Sequence, residues 1–193
     1  MNLVAKRATI LTVLAVVMAV TRLHHFGVIP DASWAVFFAG GFWLRHWSRV
    51  AFPVLMALAV LVDFLVIQSQ GISFFQHYCV SLAYWCLIPA YYAMWAGGAW
   101  LRRHYVTDNW RSAGLAVASV LASVALCHLI AQGSFYWISD SVANPTANGW
   151  WMNYGDWFLP YLRVTTMYIT AAAIAQVIAE QVARSRGNLV RQG

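Results

Sequence analysis

Residues 74–86 read FFQHYCVSLAYWC and set a thiol, Cys79, among apolar and aromatic neighbours. Thiolates suit soft or late metals, and coordination itself favours the deprotonated sulfur, so an accessible Cys79 can act as a metal ligand. Read as helix, the segment places Cys79 on one face with Ala83, Cys86 and Ala90, a narrow stripe that a ligand can approach closely. His77 lies about 200° away around that axis and is poorly placed to activate the thiol. It aligns with Tyr84 instead. Cys79 and Cys86 are about 10 Å apart, too far for a disulfide within one helix. The plainer alternative is a compact packing residue, the usual role of a free cysteine.

Other polar residues interrupt apolar runs, where they are costly unless they pair or bind something. They are His24 and His25, Asp31, Asp63, Cys127 and His128, and Arg163. Asp63 and Arg163 are either an ion pair joining two helices or contacts to a ligand. His128 is either a ligand contact or a donor to a backbone carbonyl, and Cys127 is a small packing residue.

The elements that position these groups follow from hydropathy. Hydrophobic residues make up 62% of the 193-residue chain and charged residues 9%, and mean hydropathy is +0.62. A soluble domain would carry nearer a quarter charged residues, so this is the composition of an integral membrane protein. Apolar runs of helical length fall at 8–23, 32–44, 50–68, 74–98, 112–132 and 157–182, which predicts one all-α domain of six transmembrane helices over 1–193. The first run is expected to be retained rather than cleaved, since no small-x-small site follows it. Lys6, Arg7, Arg45, Arg49, Arg102, Arg103, Arg111, Arg184, Arg186 and Arg191 fall on one side of that zigzag, which predicts cytoplasmic termini. Only Arg22 and Arg163 lie elsewhere. The cations form short clusters between apolar runs rather than a stripe, so the net charge of +6 is no nucleic-acid signature.

On this topology Asp63, Cys79, His128 and Arg163 share the outer half of the bundle, with His24 and His25 at its edge. The second run is short, roughly 20 Å against a hydrocarbon core of roughly 30 Å. That leaves either an outer concavity or ordinary mismatch absorbed by the bilayer. Ala39-Gly40-Gly41 lets a neighbouring backbone come close. Residues 133–156, rich in Gly, Asn and Pro, read as a long outer loop able to act as a lid.

The stretch HHFGVIPDASWAVFFAGGFWL (24–44), with a cysteine near the start of the fourth run, resembles the BtuM family of bacterial cobalamin transporters. That family is similar to the substrate-binding S-components of energy-coupling-factor transporters. The resemblance implies an S-component-like bundle in the bacterial inner membrane that binds cobalamin from the periplasm, with the cobalt held by Cys79. It also implies that the thiolate displaces cyanide from cyanocobalamin by ligand exchange at cobalt. His25, Asp31, Asp63 and Arg163 would then contact the corrin amides or the nucleotide-loop phosphate. Phe74, Tyr78, Tyr84, Trp150, Trp151 and Tyr154 would cover the ring, with His128 nearby. Ala15 and Ala19 on the first helix are candidates to dock an energy-coupling module, though the protein could equally work alone. The chain has no Walker motif of its own. The competing reading is a haem-binding or redox membrane protein, using His24, His25, His77 or His128 as axial ligands.

Overall fold

The computed structural model describes residues 2–23, 29–77, 80–106 and 110–192, without the side chains of 76 and 186–192. Its α-helices are α1 (Leu3–Leu23), α2 (Ser33–Leu44), α3 (Ser48–Ser69), α4 (Leu87–His104), α5 (Trp110–Ile138) and α6 (Ala147–Gln192). Short 3-10 turns occupy Arg45–Trp47, Phe74–Gln76 and Leu82–Cys86, and no strand occurs among the described residues. Among the described residues, four stretches are long and apolar enough to cross a membrane: Leu3–Leu23, Ser33–Ser69, Trp110–Ile138 and Ala147–Ser185. The chain is thus an all-helical bundle with the make-up of a membrane protein. Of the six predicted spans, α4 falls outside that set, and α2 and α3 share one apolar stretch.

That shared stretch is a hairpin. Phe37 and Phe52 stack edge-on with ring centroids 5.4 Å apart, whereas fifteen residues of continuous helix would separate them by about 22 Å. The chain therefore reverses at Arg45–Trp47, and α3 runs antiparallel to α2. Asn2 accepts a hydrogen bond from the Ala5 amide at 2.8 Å and caps the start of α1. Gly71, at φ 74°, turns the chain out of α3 in the left-handed region that glycine adopts without strain.

The core is built around α2, whose side chains from Ser33 to Phe42 are all buried. Helices α1, α3, α4 and α6 pack around it. The closest crossing is with α4. A methyl group at Gly41 would collide with the Trp95 carbonyl, and one at Gly98 would collide with the Phe38 carbonyl. The close approach anticipated from Ala39-Gly40-Gly41 is therefore real, and α4 answers it with Gly98, while Gly97 lies against Ser123 of α5.

Two expectations need correction. The fourth run is not one helix from 74. Two 3-10 turns precede α4, which begins only at Leu87. Pro89 explains the boundary. In the first turn of α4 its missing N–H is tolerated, but a longer α-helix would need that donor for the Trp85 carbonyl. Ala83 and Cys86 lie on the second 3-10 turn and Ala90 on α4, so these three do not line a single α-helix; Cys79, the fourth member of the expected stripe, lies outside the described residues.

The second correction concerns residues 133–156, which do not form a long loop. Helix α5 continues to Ile138 and α6 begins at Ala147, leaving only 139–146 as the connection. Thr146 accepts from the Gly149 amide at 3.1 Å and caps α6. The Tyr136 hydroxyl accepts from the Thr146 amide at 3.2 Å and ties the connection down.

Candidate functional site

The end of the bundle where α1 and α3 finish and α2 begins holds a buried charged network with Arg22 at its centre. Arg22 lies in the last turn of α1, where a cation favours the helix dipole. Its guanidinium grips Asp63 of α3 with two parallel hydrogen bonds, Nε to Oδ1 at 2.6 Å and Nη2 to Oδ2 at 2.7 Å. Nη1 donates to Asp31 Oδ2 at 3.1 Å, to Ser33 Oγ at 2.9 Å and to the Tyr91 hydroxyl of α4 at 3.1 Å. The fork geometry suits arginine, which offers planar paired donors that lysine lacks.

Each carboxylate is further satisfied. Asp31 Oδ1 accepts from the Ser33 amide at 2.9 Å and the Ser33 hydroxyl at 2.6 Å, which fixes the entry to α2. Asp63 Oδ2 accepts from the Tyr84 hydroxyl at 2.7 Å. Through Tyr84 the network reaches the interrupted segment that precedes α4. Phe74 anchors the same segment against α3, 5.6 Å from the Phe64 ring, and lies edge-on to Tyr84 at 6.0 Å. One guanidinium thus holds together α1, α2, α3, α4 and, through Asp63, the 3-10 turn that carries Tyr84. The two carboxylates outnumber the guanidinium by one charge.

Beside the network, between α3 and the start of α4, is a cavity of about 330 Å³. Arg22, Tyr84 and Tyr91 supply its polar edge, and its remaining walls are apolar, including Met56, Trp85 and Ile88. Apolar walls with a few polar groups at one edge are the make-up of a small-molecule pocket.

The predicted site residues divide. Asp31, Asp63 and Tyr84 come together as expected. Cys79, His24, His25 and Tyr78 lie outside the described residues. His128 sits on the other side of α2. Ser33 faces Arg22, while the next residue, Trp34, stacks on Tyr161 at 4.7 Å and reaches the His128 ring at 6.1 Å. His128 is 1% exposed. Its Nε2 lies 3.0 Å from the Tyr154 carbonyl, and the rings of Tyr154, Phe158 and Tyr161 enclose it. The carbonyl-bonding reading of His128 therefore holds. Trp150, Trp151 and Tyr154 sit on α6 as part of that aromatic packing, not on a loop over the network. Cys127 is fully buried in the core, and Cys86 is half-buried.

Arg163 is the clearest departure. The ion pair with Asp63 does not form, since Asp63 is taken by Arg22, and Arg163 is exposed on α6. The cause is the face it occupies. Tyr161 and Tyr168, on either side of it in α6, reach Trp34 and the Pro30 carbonyl at the start of α2, while Arg163 is exposed. Conversely, Arg22, Ser33 and Tyr91 belong to the site and were not among the candidates. Arg22 carried a signal, being one of two cations outside the basic clusters. Among the described residues no three His, Cys, Asp or Glu side chains gather as a metal site. No protein-family model matches this chain, and no curated protein matches it by sequence.

Proposed function

We propose that this chain is a bacterial inner-membrane protein that binds cobalamin from the periplasm and takes part in its uptake, with Cys79 as the ligand to cobalt. The observation that supports the reading is the break in the fourth segment. Non-helical backbone within a membrane bundle persists where it is buried or lines a site, and interrupted helices mark binding sites in transporters. Here the 3-10 turns Phe74–Gln76 and Leu82–Cys86 flank Cys79 in sequence, and the second is joined to the charged network by Tyr84.

The basic residues argue for the orientation. The clusters at Arg45 and Arg49, Arg102 and Arg103, and Arg184 lie toward the end opposite Arg22, and the positive-inside rule makes that end cytoplasmic. The corrin ring is too broad for the cavity beside Arg22, so the reading seats it across the end of the bundle. Asp31, Asp63 and Tyr84 then shape the floor beneath it. At cobalt the thiolate replaces cyanide, which departs as the anion, and no general base is required. On α1, Ala15 packs partly against the core and Ala19 is half-buried; in this reading a coupling module docks on that flank. The haem alternative is weaker because His128, boxed in by aromatic rings, has no space for a macrocycle beside it.

Absorbance spectroscopy tests the proposal. Purified protein mixed with cyanocobalamin is expected to shift the visible bands as sulfur replaces cyanide. Cys79→Ala is expected to abolish the shift, while Cys86→Ala and Cys127→Ala keep it. An unshifted spectrum with the native protein, or a full shift with Cys79→Ala, would refute the role of Cys79.

A further inference from the structure

A second and larger cavity, about 580 Å³, lies at the opposite end of the bundle between α2, α5 and α6. Its origin is the small residues on two facing helices. Ala113 and Ala116 of α5 look across at Ala172 and Ala173 of α6, leaving a gap between the helices. Along α5 the lining runs from Trp110 to Val120, about 15 Å of helix. That is half of the roughly 30 Å hydrocarbon core, the depth of one leaflet.

The slot opens outward where Trp110, 90% exposed, stands at its mouth. Its polar groups are satisfied within the protein. Gln176 accepts from the Trp43 indole at 2.7 Å and donates to Glu180 at 2.5 Å. Tyr105 donates to Glu180 at 3.3 Å, and the Ser112 hydroxyl bonds the Val106 backbone at 2.8 and 3.0 Å. A polar solute would find nothing inside to replace its water, whereas a hydrocarbon chain fits. One cation, Arg102, stands beside the slot, on the Tyr105 ring whose hydroxyl holds the Glu180 carboxylate. The exposed Arg102 guanidinium lies 5.2 Å from the Phe42 ring centroid and 5.9 Å from that of Tyr105, and both rings line the slot. Ring contacts of this kind leave the guanidinium N–H groups without an acceptor, so they suit an anion.

We propose that this slot binds an anionic phospholipid, with one acyl chain between α5 and α6 and the headgroup phosphate on Arg102. Basic pockets between membrane helices bind anionic headgroups in this way. The inference is independent of the cobalamin reading, because the slot lies at the other end of the molecule and shares no residue with the Arg22 network.

Native mass spectrometry of the delipidated protein provides the test. The protein is incubated with phosphatidylglycerol or phosphatidylcholine of the same chain length. One phosphatidylglycerol is expected to remain bound at several-fold higher occupancy than phosphatidylcholine. Arg102→Gln, a change at an exposed residue, is expected to reduce retention to the phosphatidylcholine level. Ala173→Trp, also at an exposed position, fills the slot and is expected to remove both adducts while the protein still elutes as a folded species. Equal retention of the two lipids by the native protein would overturn the proposal. So would undiminished binding by Arg102→Gln or by Ala173→Trp.

Discussion

Arg22→Ala is expected to destabilise the bundle by about 3–5 kcal/mol, the cost of removing one partner from a buried ion network. Arg22 is 8% exposed, and its loss would leave Asp31 and Asp63 without a counter-charge in a region of low dielectric. Ser33 and Tyr91 lose a donor at the same stroke. The consequence is structural as well as energetic, because the guanidinium joins three helix ends and α4. Arg22→Lys is expected to recover only part of the loss. An ammonium is a point charge and cannot grip both oxygens of Asp63 while reaching Asp31. Replacing the whole network, with Arg22→Met, Asp31→Asn and Asp63→Asn together, is expected to be less damaging than Arg22→Ala alone, since no buried charge is then left unpaired. Thermal unfolding in detergent, followed by circular dichroism or tryptophan fluorescence, checks all three. An unchanged transition for Arg22→Ala would mean that the network contributes nothing to the fold.

Gly98→Val is expected to cost about 1–3 kcal/mol or more, because overpacking forces packed backbones apart. The atom that a side chain at Gly98 would strike is the carbonyl oxygen of Phe38, which cannot rotate away as a flexible side chain would. The α2–α4 crossing is reciprocal, with Gly41 lying against the Trp95 carbonyl. Displacing α2 also shifts Ser33, and with it the Arg22 network. Gly114→Ala is the matching control. It has open space around it, and exchanging a helical glycine for alanine is expected to be neutral or stabilising by up to about 1 kcal/mol. The two variants are compared by their melting transitions. Equal transitions would show that the close crossing is not required.

Much of the helical framework was legible in the chain. The entry to α2 at Asp31 and Ser33, the reversal after Leu44 and the break between α4 and α5 all carry local polar or proline signals, and the helices end there. What was misread has physical causes. The fourth run is apolar apart from Gln76, His77 and Ser81, too few polar residues for hydropathy to distinguish an α-helix from a pair of 3-10 turns. The relevant signal was Pro89, which limits how far an α-helix can extend toward the N-terminus. Residues 133–156 carry Gly, Asn and Pro and suggested a loop, yet Trp150, Tyr154, Phe158 and Tyr161 recur at helical spacing. They form the stripe that α6 packs around Trp34 and His128.

Arg163 is separated from Asp63 by face rather than by level. Tyr161 and Tyr168 bring that part of α6 to the start of α2, but Arg163 is exposed and Asp63 is taken by another cation. Arg22 and Asp63 both lie near the C-terminal ends of helices that run in the same direction, α1 and α3. Their shared level follows from the order of helices alone. Tyr91 and Ser33 had no such signal, since a tyrosine in an aromatic-rich helix and a serine at a helix start are both unremarkable in type.

The cobalamin account is tested most directly by labelling Cys79 from outside the cell. A membrane-impermeant maleimide is applied to spheroplasts expressing a Cys86→Ala, Cys127→Ala protein, with and without cobalamin present. The account predicts that Cys79 is labelled and that cobalamin protects it from labelling. A cysteine that reacts only after the membrane is permeabilised, or one that cobalamin leaves fully reactive, would contradict it.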